Sequence, residues 1–211
     1  MLKLYYAPSA CSLAPHIALE EAGADYEAVR VNFADAEQRG PAYRRINPKG
    51  RVPVLVTEKG VLTENPVILG YIAQTYPDAK LADNDDSFAF GNMQAFNLYI
   101  CSTVHVAFAH AFRAERYADD PAVIAAIRAK APDLVTSAFA LIEEKLSDGR
   151  PFVHGEAYTV SDPYLFTMTR WLARDGMPGI EAFPFSAAHM RRLNQRPAVQ
   201  RALEHEGLNP L

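Results

Sequence analysis

Cys11, Glu64 and the pair Val52-Pro53 are the residues whose types and surroundings could do chemistry. Cys11 follows the loop sequence Ala7-Pro8-Ser9-Ala10, and the pattern beyond it predicts a helix from about Cys11 to Glu21, stopped by Gly23. A thiol in the first turn of a helix ionises more readily, because unpaired N–H groups and the helix dipole favour the anion. Free cysteine is also among the most buried residue types, so a reactive thiol and an inert packed one are both open. Ser12 adds a hydroxyl donor, although a lone serine there also reads as an ordinary first-turn residue. The second constellation is Val52–Val56, a β-branched apolar run with Pro53 inside it, a misfit in a central strand. Glu58-Lys59-Gly60 supplies a turn, Val61-Leu62 resumes the pattern, and Thr63-Glu64-Asn65-Pro66 opens a helix with Asn65 as N-cap. An extended segment entered through a proline, a tight hairpin and a helix start beside an acid describe a ligand rim. Its backbone groups are exposed at Val52, and its helix N-terminus suits an anion.

These residues need a scaffold, and the chain supplies one in two parts. Leu2–Tyr6 reads as a strand, the Cys11 helix follows, and Val29, Val31 and Phe33 alternate with Arg30 and Asn32 as a second strand. A short helix is placed around Tyr43, before the hairpin and a helix ending near Tyr76-Pro77. The order strand–helix–strand–short helix–strand–strand–helix is that of a thioredoxin-like α/β unit, residues 1–78. A polar, acidic linker over 79–86 leads to an all-α part, 87–211. There Phe96, Ile100, Val104 and Phe108 recur every four residues as a core stripe. Asp120-Pro121 caps a helix carrying Ile124, Ile127, Leu134, Ala138, Leu141 and Ile142, which Pro132 should kink or interrupt. Thr159-Val160-Ser161-Asp162 reads as a capping box for a helix reaching Trp171, and two short helices follow around His189 and Val199.

Bulk composition narrows the classes. The chain has 211 residues, 49% apolar and 22% charged, with a formal charge of −4. Scattered Lys and Arg give no sign of a nucleic-acid partner. No apolar run of membrane-spanning length and no signal-peptide pattern is read, so a cytoplasmic protein without membrane contact is expected. Cys11 and Cys101 lie far apart without CxxC spacing, so neither a disulfide nor a metal site is expected. The histidines His110, His154, His189 and His205 show no metal-ligand spacing, and His16 reads as structural.

Taken together, Tyr5-Tyr6-Ala7-Pro8-Ser9-Ala10-Cys11-Ser12-Leu13-Ala14-Pro15-His16, Asn47-Pro48-Lys49-Gly50-Arg51-Val52-Pro53-Val54-Leu55, Leu62-Thr63-Glu64 and Thr159-Val160-Ser161-Asp162 resemble the bacterial beta-class glutathione transferases. The resemblance runs along essentially the whole chain and implies a glutathione-dependent enzyme. By it, Pro53 is cis, the Val52 backbone pairs with the cysteinyl part of glutathione, Glu64 meets the γ-glutamyl amine, and Asn65 at the helix start meets its carboxylate. Cys11 matches the cysteine beside the glutathione sulfur, and His105 a histidine at the mouth of the site; without the resemblance, His105 reads as a solvated helix residue. A homodimer is implied too. A free thiol of pKa about 8.5 is only about 3% ionised at pH 7. Lowering it by ~2 units requires ~2.7 kcal/mol, which the N–H groups at residues 11–12, the Ser12 hydroxyl and the helix dipole are expected to share.

The expected activity is conjugation of glutathione, as co-substrate, to small hydrophobic electrophiles, with disulfide exchange or peroxide reduction through Cys11 as further activities. Phe108, Phe112, Tyr117, Tyr164 and Trp171 are candidate lining, with core packing as the alternative for most. Glutathione-dependent isomerisation or dehalogenation, and a non-catalytic binding or regulatory module, are the competing readings. The chain departs from the family pattern at Asn65, where Ser or Gly is usual, and at Thr103 and Val106, where charged residues are common. Residues Asn32–Gln38 also lack a lysine for the glycine carboxylate, with Arg39 as its substitute. Fewer charged anchors imply weaker glutathione binding than in better-matched relatives.

Overall fold

The computed structural model describes residues 1–211. Strands β1 (Leu2–Tyr6), β2 (Tyr26–Arg30), β3 (Val54–Thr57) and β4 (Gly60–Thr63) form one sheet in the order β2-β1-β3-β4. β1 runs parallel to β2 and antiparallel to β3, and β3 and β4 make an antiparallel hairpin, Thr57 opposite Gly60. The parallel pair requires a crossover, supplied by α1 (Leu13–Glu21). Helix α2 (Pro41–Ile46) and helix α3 (Asn65–Thr75) complete this half.

The second strand forms and includes Val29 and Arg30, but it begins at Tyr26 and ends three residues before Phe33, so the alternation placed it too late. Asn32 explains the stop. Its side chain accepts from Ala34 N (3.0 Å) and donates to Asp35 (2.6 Å), a turn that pulls the chain out of the sheet.

The remaining helices are α4 (Ser87–Tyr99), α5 (His105–Phe112), α6 (Pro121–Leu146), α7 (Ser161–Trp171), α8 (Pro184–Leu193) and α9 (Pro197–Glu206). Asp86 caps α4 by accepting from Phe88 N and Ala89 N, and Asp120 caps α6 through Ala122 N. Pro132 does not end α6, which runs unbroken through it. The buried face of α6 is Ala131, Val135, Ala138, Phe139, Ile142 and Leu146, whereas Leu134 and Leu141 point outward. At α7 the capping box forms: Thr159 Oγ1 accepts from Ser161 N (3.3 Å), while Asp162 accepts from Thr159 N (2.7 Å). Asp162 also takes Val153 N (2.8 Å) and pairs with His189 (2.9 Å), so the box is buried and ties α7 to α8.

Between α4 and α5, Ile100–Val104 is a π-turn. Residues 87–112 are therefore one continuous helix, long and apolar enough by composition to cross a membrane, where no such run was expected. Its stripe Phe96, Ile100, Val104 and Phe108 is buried against the protein, while Phe88, Leu98 and Val106 are exposed. One cluster of 30 buried residues runs from Leu4, Leu55 and Ile68 to Phe108, Phe139 and Trp171, so the sheet half and the helical half share a core. Truncating Phe108 to alanine would cost about 3–5 kcal/mol.

Candidate functional site

The Cys11 loop is held from the far end of the chain. Ser9 adopts a left-handed conformation (φ 60°), unusual for a residue with a side chain. Glu206 on α9 accepts Ser9 N (2.9 Å) and pairs with the buried His16 (2.9 Å). Trp171 Nε1 (3.0 Å) and Arg174 (2.7 Å) both donate to the Ser9 carbonyl. His16 is structural, as read from the sequence.

Cys11 lies ahead of α1, not in its first turn, because Ser12 is the N-cap and the helix begins at Leu13. The Cys11 thiol donates to the Val52 carbonyl (3.4 Å). Burial pushes this thiol up to about 12, with Cys101 adding to the effect and a backbone bond and Asn65 opposing it. The expected activation by the helix start is thus reversed in the free protein. Ser12 does not serve the thiol either. Its hydroxyl is fully buried, accepting from Ala7 N (3.1 Å) and donating to Ala7 O (3.3 Å), so it fixes the loop and does not face the cleft.

On the opposite wall, Tyr43 (2.8 Å) and Asn47 (2.7 Å) both donate to the Arg51 carbonyl and fix the peptide entering Val52. Gly50 is required there: its φ is +62° and a Cβ would meet the Gln38 carbonyl at 2.9 Å. The Val52–Pro53 bond is cis. Glu64 caps α3 with φ 71°, a conformation costing on the order of 1–3 kcal/mol in a residue other than glycine. The Glu64 carboxylate holds the Lys49 ammonium, which also bonds Thr63 (2.8 Å). Asn65, expected as the N-cap, is instead the first helical residue, and its amide donates to the Cys11 carbonyl (3.0 Å).

These parts enclose a cavity of about 330 Å³, lined by Cys11, Val52, Pro53, Glu64, Asn65 and His105 among others. Six of the seven expected site residues therefore meet, and Ser12 does not. Of the five aromatic candidates, Tyr117 and Tyr164 line the cavity, while Phe108, Phe112 and Trp171 do not. The sequence reading did not single out Cys101, Arg51 or Arg116 as site residues, though all three line it. The signal for Cys101 was its spacing of four from His105, which puts both on one face of a helix. Arg39, the expected lysine substitute, does not line the cavity.

His105 packs edge-on against Trp171 (5.0 Å between ring centres). Burial first, then Arg51, Arg116 and Arg174, lower its pKa to about 4, against the pull of Glu64. At the back of the cleft the Tyr164 hydroxyl neighbours the Asn65 amide and the Cys101 thiol. Away from the cleft, His16, Glu20 and His205 bring potential ligand atoms within 4.8 Å of one another. Glu20 is already held by Tyr26 (2.6 Å) and Arg201 (2.6 Å), so this group serves as a polar cluster at the α1–α9 contact.

A thioredoxin-like sheet, a cis-proline rim, an acid at a helix start and an appended helical half define a thiol-ligand enzyme class. The comparisons give it a family. Residues 1–74 match the glutathione S-transferase N-terminal domain. Glutathione S-transferase GstA of Escherichia coli O157:H7 is 35% identical over 98% of this chain and 100% of its own length. Among solved structures, a glutathione transferase homologue from Sulfitobacter with bound glutathione superposes with a TM-score of 0.91 at 38% identity, covering 99% of each chain. A sphingomonad glutathione S-transferase complexed with glutathione superposes at 0.86, with 39% identity over 98% of this chain and 100% of that one. The chain belongs to the glutathione S-transferase family.

Proposed function

We propose that this chain binds glutathione in the cleft under the cis Val52–Pro53 bond and conjugates it to a small hydrophobic electrophile. The observation carrying this is the convergence of Cys11, Val52, Pro53, Glu64, Asn65 and His105 on one cavity. The half 1–78 holds glutathione, 79–86 links, and 87–211 shapes the electrophile pocket. Glu64 receives the γ-glutamyl amine, for which the Lys49 ammonium stands in within the free protein. The Asn65 N–H at the start of α3 receives the γ-glutamyl carboxylate, since the Asn65 side chain is committed to Cys11. The Val52 backbone pairs with the cysteinyl unit.

With its pKa near 12, Cys11 acts as a thiol, turning its S–H from the Val52 carbonyl toward the glutathione sulfur. His105, near 4, is neutral at pH 7 and offers a hydrogen bond, not a charge. In the step itself the glutathione sulfur, its proton lost to solvent, forms a C–S bond as the leaving group departs with the C–X electrons. Disulfide exchange, in which Cys11 takes one sulfur of glutathione disulfide and releases glutathione, is a slower accompanying activity because so little Cys11 is ionised.

The enzyme works as a cytoplasmic homodimer in detoxification. Two free thiols suit a reducing compartment. Exposed Val61 on the edge strand β4, Val67 on α3 and Leu98 on α4 offer apolar surface to a second copy.

Retention on immobilised glutathione, turnover of 1-chloro-2,4-dinitrobenzene and sedimentation at micromolar concentration test the reading. Retention, chloride release and a dimer mass are expected. Lack of retention removes the glutathione site; retention without turnover removes conjugation. In Cys11→Ala conjugation should persist in part, whereas its complete loss would make Cys11 indispensable to activating the sulfur.

A further inference from the structure

Two guanidinium groups line the cleft, and two more lie near them. Arg51 comes from the sheet half and Arg116 from the turn after α5, and both line the cavity. Arg113 is close enough to disfavour the charge on both Arg116 and Arg174. None of the four forms an ion pair. The nearby acids are already engaged: Glu64 holds Lys49, and Glu115 holds Arg128 (3.2 Å). Arg174 is bound to Ser9 and lies over the Trp171 ring (4.6 Å), which leaves Arg51 and Arg116 facing the cavity. Beside them Val106, Ala109 and the Tyr117 ring make a largely apolar wall.

Like charges held together without a counterion form an anion site in waiting, and guanidiniums suit carboxylates through paired hydrogen bonds. We propose that the electrophile carries a carboxylate, or an equivalent anionic group, on an apolar body. Arg116 and Arg51 hold the anion across the junction of the two halves, and Val106, Ala109 and Tyr117 hold the body. This assignment rests on the conjugation reading and specifies its second substrate. Glutathione also carries carboxylates, so the test separates the two sources.

The experiment compares 4-chloro-3,5-dinitrobenzoate with 1-chloro-2,4-dinitrobenzene at saturating glutathione and fixed ionic strength. The ratio of their kcat/KM values cancels effects common to both. Arg116→Gln should lower that ratio about tenfold, through KM, and Arg116→Lys should restore part of it. An unchanged ratio overturns the proposal. A calorimetric glutathione Kd weakened about tenfold beside an unchanged ratio would assign the anion site to glutathione instead. If the wild type turned over neither halide, conjugation would fall. Calorimetric binding of 3,5-dinitrobenzoate against 1,3-dinitrobenzene would still support or overturn the anion site by the same Arg116→Gln comparison.

Discussion

The floor and the rim of the cleft are built on opposite electrostatic terms. At the floor, Tyr164 is fully buried and Cys11 and Cys101 are half-buried, and burial raises the pKa of all three. At the rim, Arg51, Arg116 and the Lys49–Glu64 pair carry full charges near water. The contrast shows why a thiol beside a helix start is not activated here. A helix dipole contributes about 0.3–1 kcal/mol at its first turn, under one pKa unit. Burial shifts a pKa by up to about 3–5 units, and Cys11 sits before the turn where the dipole acts. Desolvation wins. The free protein keeps its own sulfur neutral and places its positive charge where an incoming anion arrives.

That contrast is open to direct attack, most strongly at Cys11. With a pKa near 12, its alkylation by iodoacetamide at pH 8 should run about a thousandfold slower than that of a free cysteine. Mass-spectrometric time courses across pH measure this, and an inflection near pH 7 would put the floor and the rim on the same footing. Next comes the clamp under the floor. Glu206→Ala leaves Ser9 N and His16 without their acceptor in a buried setting, and about 3 kcal/mol of stability should be lost in urea unfolding. The Cys11 loop should loosen with it, so alkylation should accelerate.

His105 joins the two regions, and its sign is set by a folded pKa below the unfolded one. Between about pH 6.5 and 4 the unfolded chain binds more protons, so stability falls as pH falls through that window. The effect amounts to at most about 3 kcal/mol, and His154, also held near 4, adds to it. His105→Gln should flatten the slope in part, read by urea unfolding at a series of pH values. In an NMR titration, Arg116→Gln should raise the His105 pKa; no movement would mean the rim charges do not reach the floor. The smallest effect belongs to the rim pair. Lys49→Ala should change stability by less than about 1 kcal/mol, since both partners are half exposed. A thermal shift corresponding to twice that would make the pair a structural element.

Elements fixed by local pattern were legible without coordinates. Leu2–Tyr6 alternates and is a strand, the Phe96–Phe108 stripe is buried, and Thr159–Asp162 forms a capping box because its partners lie within four residues. Cys11, Val52, Pro53, Glu64, Asn65 and His105 could be nominated from motif resemblance. Their assembly into one cavity could not be read from the spacing. The Val29–Phe33 alternation misled because an Asn32 turn overrides it, and Leu134 and Leu141 fit a helical period without telling which face meets the core.

By itself the sequence determined the order of strands and helices, some of the caps that start them, Asp120 among these, and the residue types available for chemistry, all set by interactions a few residues long. Only the tertiary structure decided that Cys11 is a neutral thiol, that Ser12 braces Ala7, and that Arg51 and Arg116 line one cleft. Burial and charge proximity are properties of the packed chain: Glu206 reaches Ser9 across 197 positions, and no local pattern encodes a contact of that span.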